Sequence, residues 1–314
     1  MLGRTANGIF WMMRYLERAE NTARLLDAGF RLALTKGQSA ASDEWRSVLV
    51  TTGLDTAFNR NHADYTGPAV TNFILRDRGN PGSVLAMFEG ARTNARTVRT
   101  AITREVWEAT NEGWMVLNDV LARPVKATNL GEVLTAIRRQ TTQVRGAMDG
   151  TMLRNEIFNF ARVGTFLERA DNTARILDVK YHVLLPSVSW VGSALDNTQW
   201  ETVLRSVAGE RAYRWLNSGQ MDARGIAEFI ILDGRFPRSL RFCFDKLGSN
   251  MASLAREYGE VTPAHDLVRD ASARLQLATT DRILEFGLHE TILAVIAGTR
   301  AIADAIARDY RFTS

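Results

Sequence analysis

The chain is poor in the residues that mark disulfide frameworks and membrane helices. Its 314 residues include one cysteine, Cys243, so no disulfide can form within the chain. The apolar run at residues 8–13 is only six residues long, whereas a membrane helix needs about 18 or more. We therefore expect a cytoplasmic protein that does not enter the membrane. Cys243, which lies among apolar neighbours, is expected to be a buried apolar side chain.

Signals for strands and for breaks within helices are also scarce. Only six prolines occur, and no segment sustains the alternation of apolar and polar residues that is typical of a strand. Apolar residues between Ile9 and Phe30 instead recur at steps of three and four, which indicates a helix with one buried face. Pro81, Pro237 and Pro263 stand where helices are expected to begin. The sequence predicts an all-α fold.

One charged segment occurs twice. The sequence LERAENTARLLD at 16–27 returns as LERADNTARILD at 167–178, with ten of twelve residues identical. Two further blocks recur in the same order, and these are 43–49 with 198–204 and 73–84 with 229–240. The offsets are 151, 155 and 156 residues, and so slow a drift indicates a duplication with small insertions.

The duplication predicts the domain organisation. The first repeat spans about 1–150 and the second about 151–314. No polar linker is evident near residue 150, so we expect one domain over 1–314 rather than two independent ones. This domain would be a single helical bundle built from two duplicated halves with pseudo-two-fold symmetry.

The repeated segment places charged residues beside an apolar stripe. Glu20, Arg24 and Asp27 follow at steps of four and three, so a ladder of carboxylate, guanidinium and carboxylate can form along one helix edge. The second copy repeats the pattern with Asp171, Arg175 and Asp178. The charged and amide side chains of both copies form a candidate polar cleft between the halves: Glu17, Arg18, Glu20, Asn21, Arg24, Asp27, Glu168, Arg169, Asp171, Asn172, Arg175, Asp178 and His182. Alternatively, the same groups form buried pairs that only hold the halves in register.

Known catalytic and metal-binding motifs are missing. Di-metal helical bundles use Glu-x-x-His, and none of the four histidines follows a carboxylate at that spacing. Arginines in the same ladder would also repel a cation. Phosphate-binding glycine loops, the Gly-x-Ser-x-Gly elbow and the His-Glu-x-x-His motif do not occur. We expect neither a metal nor a cofactor.

Two arginine groups are candidate sites for an anion or an acidic partner. Arg92, Arg96 and Arg99 lie at i, i+4 and i+7 of a predicted helix. The second group, Arg235, Arg238 and Arg241, surrounds a predicted helix start, where free N–H groups favour anions. A solvated helix face is the alternative for both groups. The net charge of only +4, from 39 basic and 35 acidic residues, argues against nucleic acid as the partner.

Four motifs resemble, in chain order, those of the bacterial alpha-E family: FWMMRYLERAENTARLLD, NPGSVLAMFEGARTNARTVR, FLERADNTARILDVKYHVLLP and FIILDGRFPRSLRFC. The resemblance covers nearly the whole chain and implies an all-helical, internally duplicated fold. Members are encoded beside, or fused to, circularly permuted ATP-grasp proteins and transglutaminase-like peptidases. The family's Gly-Arg-Tyr before Leu-Glu-Arg-Ala is replaced by Met13-Arg14-Tyr15 and by Gly164-Thr165-Phe166.

The resemblance implies an accessory or binding protein that acts with a circularly permuted ATP-grasp ligase in forming or processing peptide or amide bonds. A peptide or an anionic small molecule is a candidate ligand. The alternative is an enzyme in which Glu17 or Glu168 serves as general acid or base. Arg24 or Arg175 would then orient a carboxylate or phosphate substrate.

Overall fold

The structure is a computed structural model that describes residues 3–34, 38–182, 194–217 and 221–312. Side chains at 38–40, 179–182 and 194–198 lie outside the description. Throughout the described ranges the chain forms helices joined by turns and short loops, without strands. The all-α prediction is confirmed. None of the described helices is both long and apolar enough to span a membrane.

The chain divides into two compact units, residues 1–164 and 165–314. The boundary falls inside one helix, α8, rather than in a linker. The described helices up to and including that one are α1 (Gly3–Leu34), α2 (Gln38–Thr52), α3 (Asp55–Phe58), α4 (Gly67–Arg76), α5 (Val84–Thr97), α6 (Arg104–Val120), α7 (Leu130–Thr151) and α8 (Glu156–His182). The helices that follow are α9 (Ala194–Ser206), α10 (Glu210–Leu216), α11 (Ala223–Leu232), α12 (Leu240–Tyr258), α13 (Pro263–Leu277), α14 (Thr280–Phe286) and α15 (Leu288–Asp309).

The repeated sequence blocks lie on corresponding helices of the two units. The charged segment is on α1 and α8, the second block is on α2 and α9, and the third joins α4 to α5 and α11 to α12. Trp45 and Trp200, which the second block shares, are both 6% exposed. The duplication is therefore visible in the helix order, while pseudo-two-fold symmetry stays a prediction.

Local capping explains where the repeated helices begin. The hydroxyls of Ser83 and Ser239 accept hydrogen bonds from the backbone N–H groups of residues 86 and 242, so they cap α5 and α12. Pro81 and Pro237 lie in the turns just before these caps, not at the first helical position as predicted. A serine side chain supplies the capping oxygen that proline cannot supply. Pro263 does occupy the first position of α13.

The first unit is built around α1, which packs against α2, α5 and α7. Because neighbours surround this helix, apolar side chains on several of its faces are buried, including Phe10, Met13 and Leu16, each 1% exposed. In the second unit α12 packs against α13, and α13 against α15. Cys243 on α12 is fully buried, as predicted.

Candidate functional site

Two carboxylates of the repeated segment lie in the core of the first unit. Glu17 is 1% exposed and Glu20 is 0% exposed, although the sequence pattern places both beside the apolar stripe of the helix and not within it. The reason is that α7 covers this flank of α1. A buried carboxylate is stable only when it is paired and hydrogen-bonded.

Pairing is supplied by α1 itself and by α7. The Nη2 atom of Arg24 lies 2.7 Å from Oε1 of Glu20, and the hydroxyl of Thr141 donates to Oε2 of Glu20 at 3.3 Å. Arg145 contacts both carboxylates: its Nη1 is 3.2 Å from Oε2 of Glu17 and also pairs with Glu20. Arg145 thus bridges two buried acids from a neighbouring helix.

Asp27 continues this network at a more exposed position. Its Oδ1 lies 3.2 Å from Nε of Arg31, and its Oδ2 lies 3.4 Å from Nη1 of Arg138 on α7. The predicted ladder therefore includes the Glu20–Arg24 pair, but Asp27 contacts these other arginines instead of Arg24. Asn21 donates from Nδ2 to Oε1 of Glu17 at 3.4 Å.

The second unit builds a related network on α8. Oδ2 of Asp171 lies 2.7 Å from Nε of Arg175, and Oδ1 accepts a hydrogen bond from the hydroxyl of Thr299 on α15 at 3.0 Å. Asp178 lies 2.7 Å from Nδ1 of His289, which begins the same helix. The repeated helix is thus tied to α7 in the first unit and to α15 in the second, in each case through a threonine and a basic side chain.

The remaining predicted groups of the second copy also have contacts within their unit. Asn172 donates to Oε1 of Glu168 at 3.3 Å, and Glu168 is 1% exposed. Nη1 of Arg169 donates to the carbonyl of Pro237 at 3.2 Å, whereas Arg18 in the first unit is half-buried. The side chain of His182 lies outside the described residues.

Every motif carboxylate of the described residues has a side-chain partner in its own unit. The networks therefore resemble buried ion pairs that fix helix packing. They do not resemble a catalytic pair of carboxyl groups without protein partners. The cleft predicted between the halves stays a prediction. No group of three or more histidine, cysteine, aspartate or glutamate side chains that could hold a metal ion occurs in the described part of the chain.

Arg92 and Arg96 lie on α5 beside the tryptophans of α6, whereas α5 ends at Thr97, so Arg99 lies in the turn after the helix and not on it as predicted. The guanidinium of Arg92 is 4.2 Å from the Trp114 ring centre, and that of Arg99 is 5.3 Å from Trp107. Nε of Arg92 also donates to the side chain of Asn111 at 2.7 Å. Arg96 is exposed. Two of the three arginines thus each lie over an indole ring of α6.

The structure separates Arg238 from the other two members of the second arginine group. Arg238 is 9% exposed, and its carbonyl accepts a hydrogen bond from the Thr173 hydroxyl at 3.0 Å. Arg235 is exposed and pairs with Asp233 at 2.9 Å. Arg241 lines a cleft together with Arg235 and Asp233.

Asp233 is the acid that organises the loop before α12. Burial opposes its ionisation, but hydrogen bonds from the side chain and backbone N–H of Arg235 and from the N–H of Phe236 outweigh burial and hold the pKa of its carboxyl below the ordinary value. Asp233 is therefore a carboxylate at neutral pH.

Sequence reasoning missed the partners of the repeated helices on α7 and on α15. Thr141, Arg138 and Arg145 on α7, and Thr299 and His289 on α15, complete the networks. The sequence does carry a signal for Thr299, because this residue interrupts the apolar stripe of α15. In the structure its exposed fraction is 3%. A threonine on a core-facing stripe indicates a hydrogen-bond partner inside the fold.

Comparison with known proteins identifies the family. Residues 1–310 match Alpha-E, described as a predicted alpha-helical domain with a conserved ER motif. The chain is similar to the uncharacterized proteins Mb2597 of Mycobacterium bovis and Rv2567 of Mycobacterium tuberculosis, with 23% identity over 325 residues in each case.

These matches cover 95% of this chain and 35% of each relative, so the chain spans about a third of the length of the curated relatives it matches. No solved structure matches the chain. Glu-Arg pairs stand at 17–18 and 168–169, inside the repeated helices. With a match over nearly its whole length, the chain belongs to the Alpha-E family.

Proposed function

We propose that this chain is a helical binding module that acts with a circularly permuted ATP-grasp ligase in forming or processing peptide or amide bonds. The observation that carries the proposal is the internal pairing of the motif carboxylates. Glu17 and Glu20 share Arg145, and Asp171 is held by Arg175 and Thr299. Acids engaged in this way favour a scaffold over a centre for acid–base chemistry.

The family resemblance is what supports an ATP-grasp ligase as the partner. Alpha-E proteins resemble this chain in their motifs and are encoded beside or fused to ATP-grasp proteins. In the mycobacterial relatives the matching region is about a third of a longer chain, which is consistent with a module that works next to other domains. The single cysteine fits a cytoplasmic location.

An interaction surface for the ligase is available on α5 and α6. We define the α5–α6 face by Arg92, Arg96, Arg99, Trp107 and Trp114. Indole rings under Arg92 and Arg99 limit the motion of the guanidinium groups, while the planar groups keep several N–H donors. Arginine and tryptophan are also the residues most often dominant in protein interfaces. An acidic surface of the ligase would complement this face.

Calorimetric titration of the chain with an ATP-grasp ligase from the same genome tests the proposal. We expect saturable binding that weakens at least about tenfold in the double variant Arg96→Glu/Arg99→Glu, because like charges then face each other. Arg139→Glu on α7 is the matched control: Arg139 is also exposed in the first unit but lies outside the α5–α6 face. The affinity of the Arg139→Glu variant for the ligase should equal that of the parent.

Absence of binding at micromolar concentrations would contradict a partnership with the ligase. Equal affinities for the parent and the double variant would contradict the assignment of the α5–α6 face. Thermal unfolding of each variant by circular dichroism ensures that folded proteins are compared.

A further inference from the structure

Two clefts occupy equivalent positions in the two units. The first cleft, about 570 Å³, lies between the end of α4, the start of α5 and the end of α6. The second cleft, about 850 Å³, lies between the end of α11, the start of α12 and the connection from α13 to α14. Most residues lining the first cleft have counterparts 156 positions later that line the second, for example Phe73 with Phe229 and Asp77 with Asp233.

Polar groups of the first cleft are used to hold the neighbouring backbone. Asn72 donates to the carbonyl of Val125 at 3.1 Å and accepts from its N–H at 2.9 Å. Nε of Arg76 donates to the carbonyl of Leu121 at 2.9 Å. These side chains secure the loop after α6, so the first cleft has a structural explanation.

Several lining positions differ between the clefts, and two of them carry a charge only in the second cleft. Glu228 stands where the first cleft has Asn72, and Arg241 stands where it has Leu85. The second cleft therefore has a carboxylate and a guanidinium at the positions where the first cleft has an amide and an apolar side chain. Glu228 also contacts the segment that borders its cleft, as Asn72 does, but through one of its two oxygens only.

Both introduced groups have unused capacity for a ligand. The Nε atom of Arg241 is buried and donates no hydrogen bond among the described residues; Asp245 is 3.9 Å away, beyond hydrogen-bond distance. Glu228 accepts a hydrogen bond from the Thr280 hydroxyl at 2.8 Å. Within the described part of the chain, Glu228 has no ion pair with an arginine or lysine. The Arg241 side chain as a whole is 40% exposed and lines the cleft, so a carboxylate can approach its guanidinium.

The other charges of the second cleft neutralise each other. Arg224 pairs with Asp281, and Arg235 pairs with Asp233 at 2.9 Å. Three arginines and three acids line the cleft in total, so a polyanion would meet as many repelling charges as attracting ones. Glu228 and Arg241 are left to bind one positive and one negative group.

We propose that the second cleft binds a short peptide or an amino acid as a zwitterion, with its carboxylate on Arg241 and its ammonium on Glu228. Carboxylates are natural acceptors for a guanidinium, and an ammonium group supplies three donors to a glutamate. The cleft volume lies within the range of small-molecule sites. This site is separate from the α5–α6 face and does not depend on the ligase.

The test uses dialanine as the probe, with the full chain and with binding followed by NMR. We expect saturable binding at millimolar concentration that weakens about tenfold or more when the amino group is acetylated or the carboxylate is amidated. Glu228→Asn and Arg241→Leu, which introduce the residues of the first cleft, should each weaken dialanine binding to the same degree. Arg300→Leu, at an exposed position of α15, is the control and should bind as the parent does.

Three results would overturn the proposal. These are the absence of saturable dialanine binding, equal binding of the blocked peptides, and unchanged binding in the Arg241→Leu variant. Inorganic phosphate is a further arm, because Arg241-dependent phosphate binding as tight as that of dialanine would show a simple anion site instead. Ligase affinity should be unaffected by Glu228→Asn and Arg241→Leu, so failure of this inference is distinguishable from failure of the proposed function.

Discussion

Removal of Arg145 is the perturbation with the largest predicted effect on the first unit. The side chain is 18% exposed and pairs with Glu17 and Glu20, which are 1% and 0% exposed. In Arg145→Met the packing of the alkyl stem is retained, but two buried carboxylates lose their shared cation. Arg24 and Thr141 still contact Glu20, whereas Glu17 keeps the hydrogen bond from Asn21.

Breaking a buried ion pair from one side costs about 3–5 kcal/mol. We therefore expect Arg145→Met to lower the free energy of unfolding by about that amount, measured by urea denaturation with circular dichroism. Addition of Glu17→Gln should restore part of the loss, because it removes one of the two buried charges that Arg145 contacts.

Arg31→Met is the matched control for this experiment. Arg31 also pairs with a carboxylate of the repeated helix, Asp27, but it is 67% exposed. Its removal should cost less than about 1 kcal/mol. If Arg145→Met were as stable as Arg31→Met, the buried network would not stabilise the unit and the structural argument would fail.

Three further predictions concern other parts of the fold. Thr141→Val and Thr299→Val should each lower the free energy of unfolding by about 1–3 kcal/mol, because each hydroxyl donates to a buried carboxylate; a large effect in one unit only would contradict equivalent networks. Gly164→Ala should destabilise by about 1–3 kcal/mol, because the added methyl group would overlap a backbone carbonyl of α1, whereas Gly146→Ala, in open space on α7, should be neutral or stabilising in the same melts. Asp233→Asn should reduce stability at neutral pH, because the native pKa of Asp233 is lowered and its contribution exists above the ordinary value of 3.8. The difference between parent and variant should vanish as pH falls through the native pKa, and a difference independent of pH would contradict this account.

The sequence predicted the helical class and the internal repeat because both leave local patterns. Steps of three and four in the apolar residues identified α1, and the recurrent blocks lie on corresponding helices of both units. Short helices such as α3, with four residues, have too few positions to show such a pattern. The starts of α5 and α12 were predicted at Pro81 and Pro237, whereas Ser83 and Ser239 cap these helices. Proline and serine are both typical of helix starts, so the sequence alone does not separate them.

The site was predictable only where its contacts are local. Glu20–Arg24 and Asp171–Arg175 are i,i+4 pairs, and spacing alone predicted both. Arg145 lies 128 residues from Glu17, and such a contact depends on how α7 packs against α1. The burial of Glu17 could not be predicted for the same reason, because the residue pattern of one helix does not show which neighbouring helices cover it.

The central claim is that the repeated charged helix is a scaffold in both units. Unfolding of Glu20→Gln and Asp171→Asn tests it most directly, since both substitutions preserve side-chain size and remove the charge that holds Arg24 or Arg175. The account predicts that each variant loses more than about 1.5 kcal/mol of stability in urea denaturation. Two variants as stable as the parent would contradict the claim and favour a reactive role for these acids.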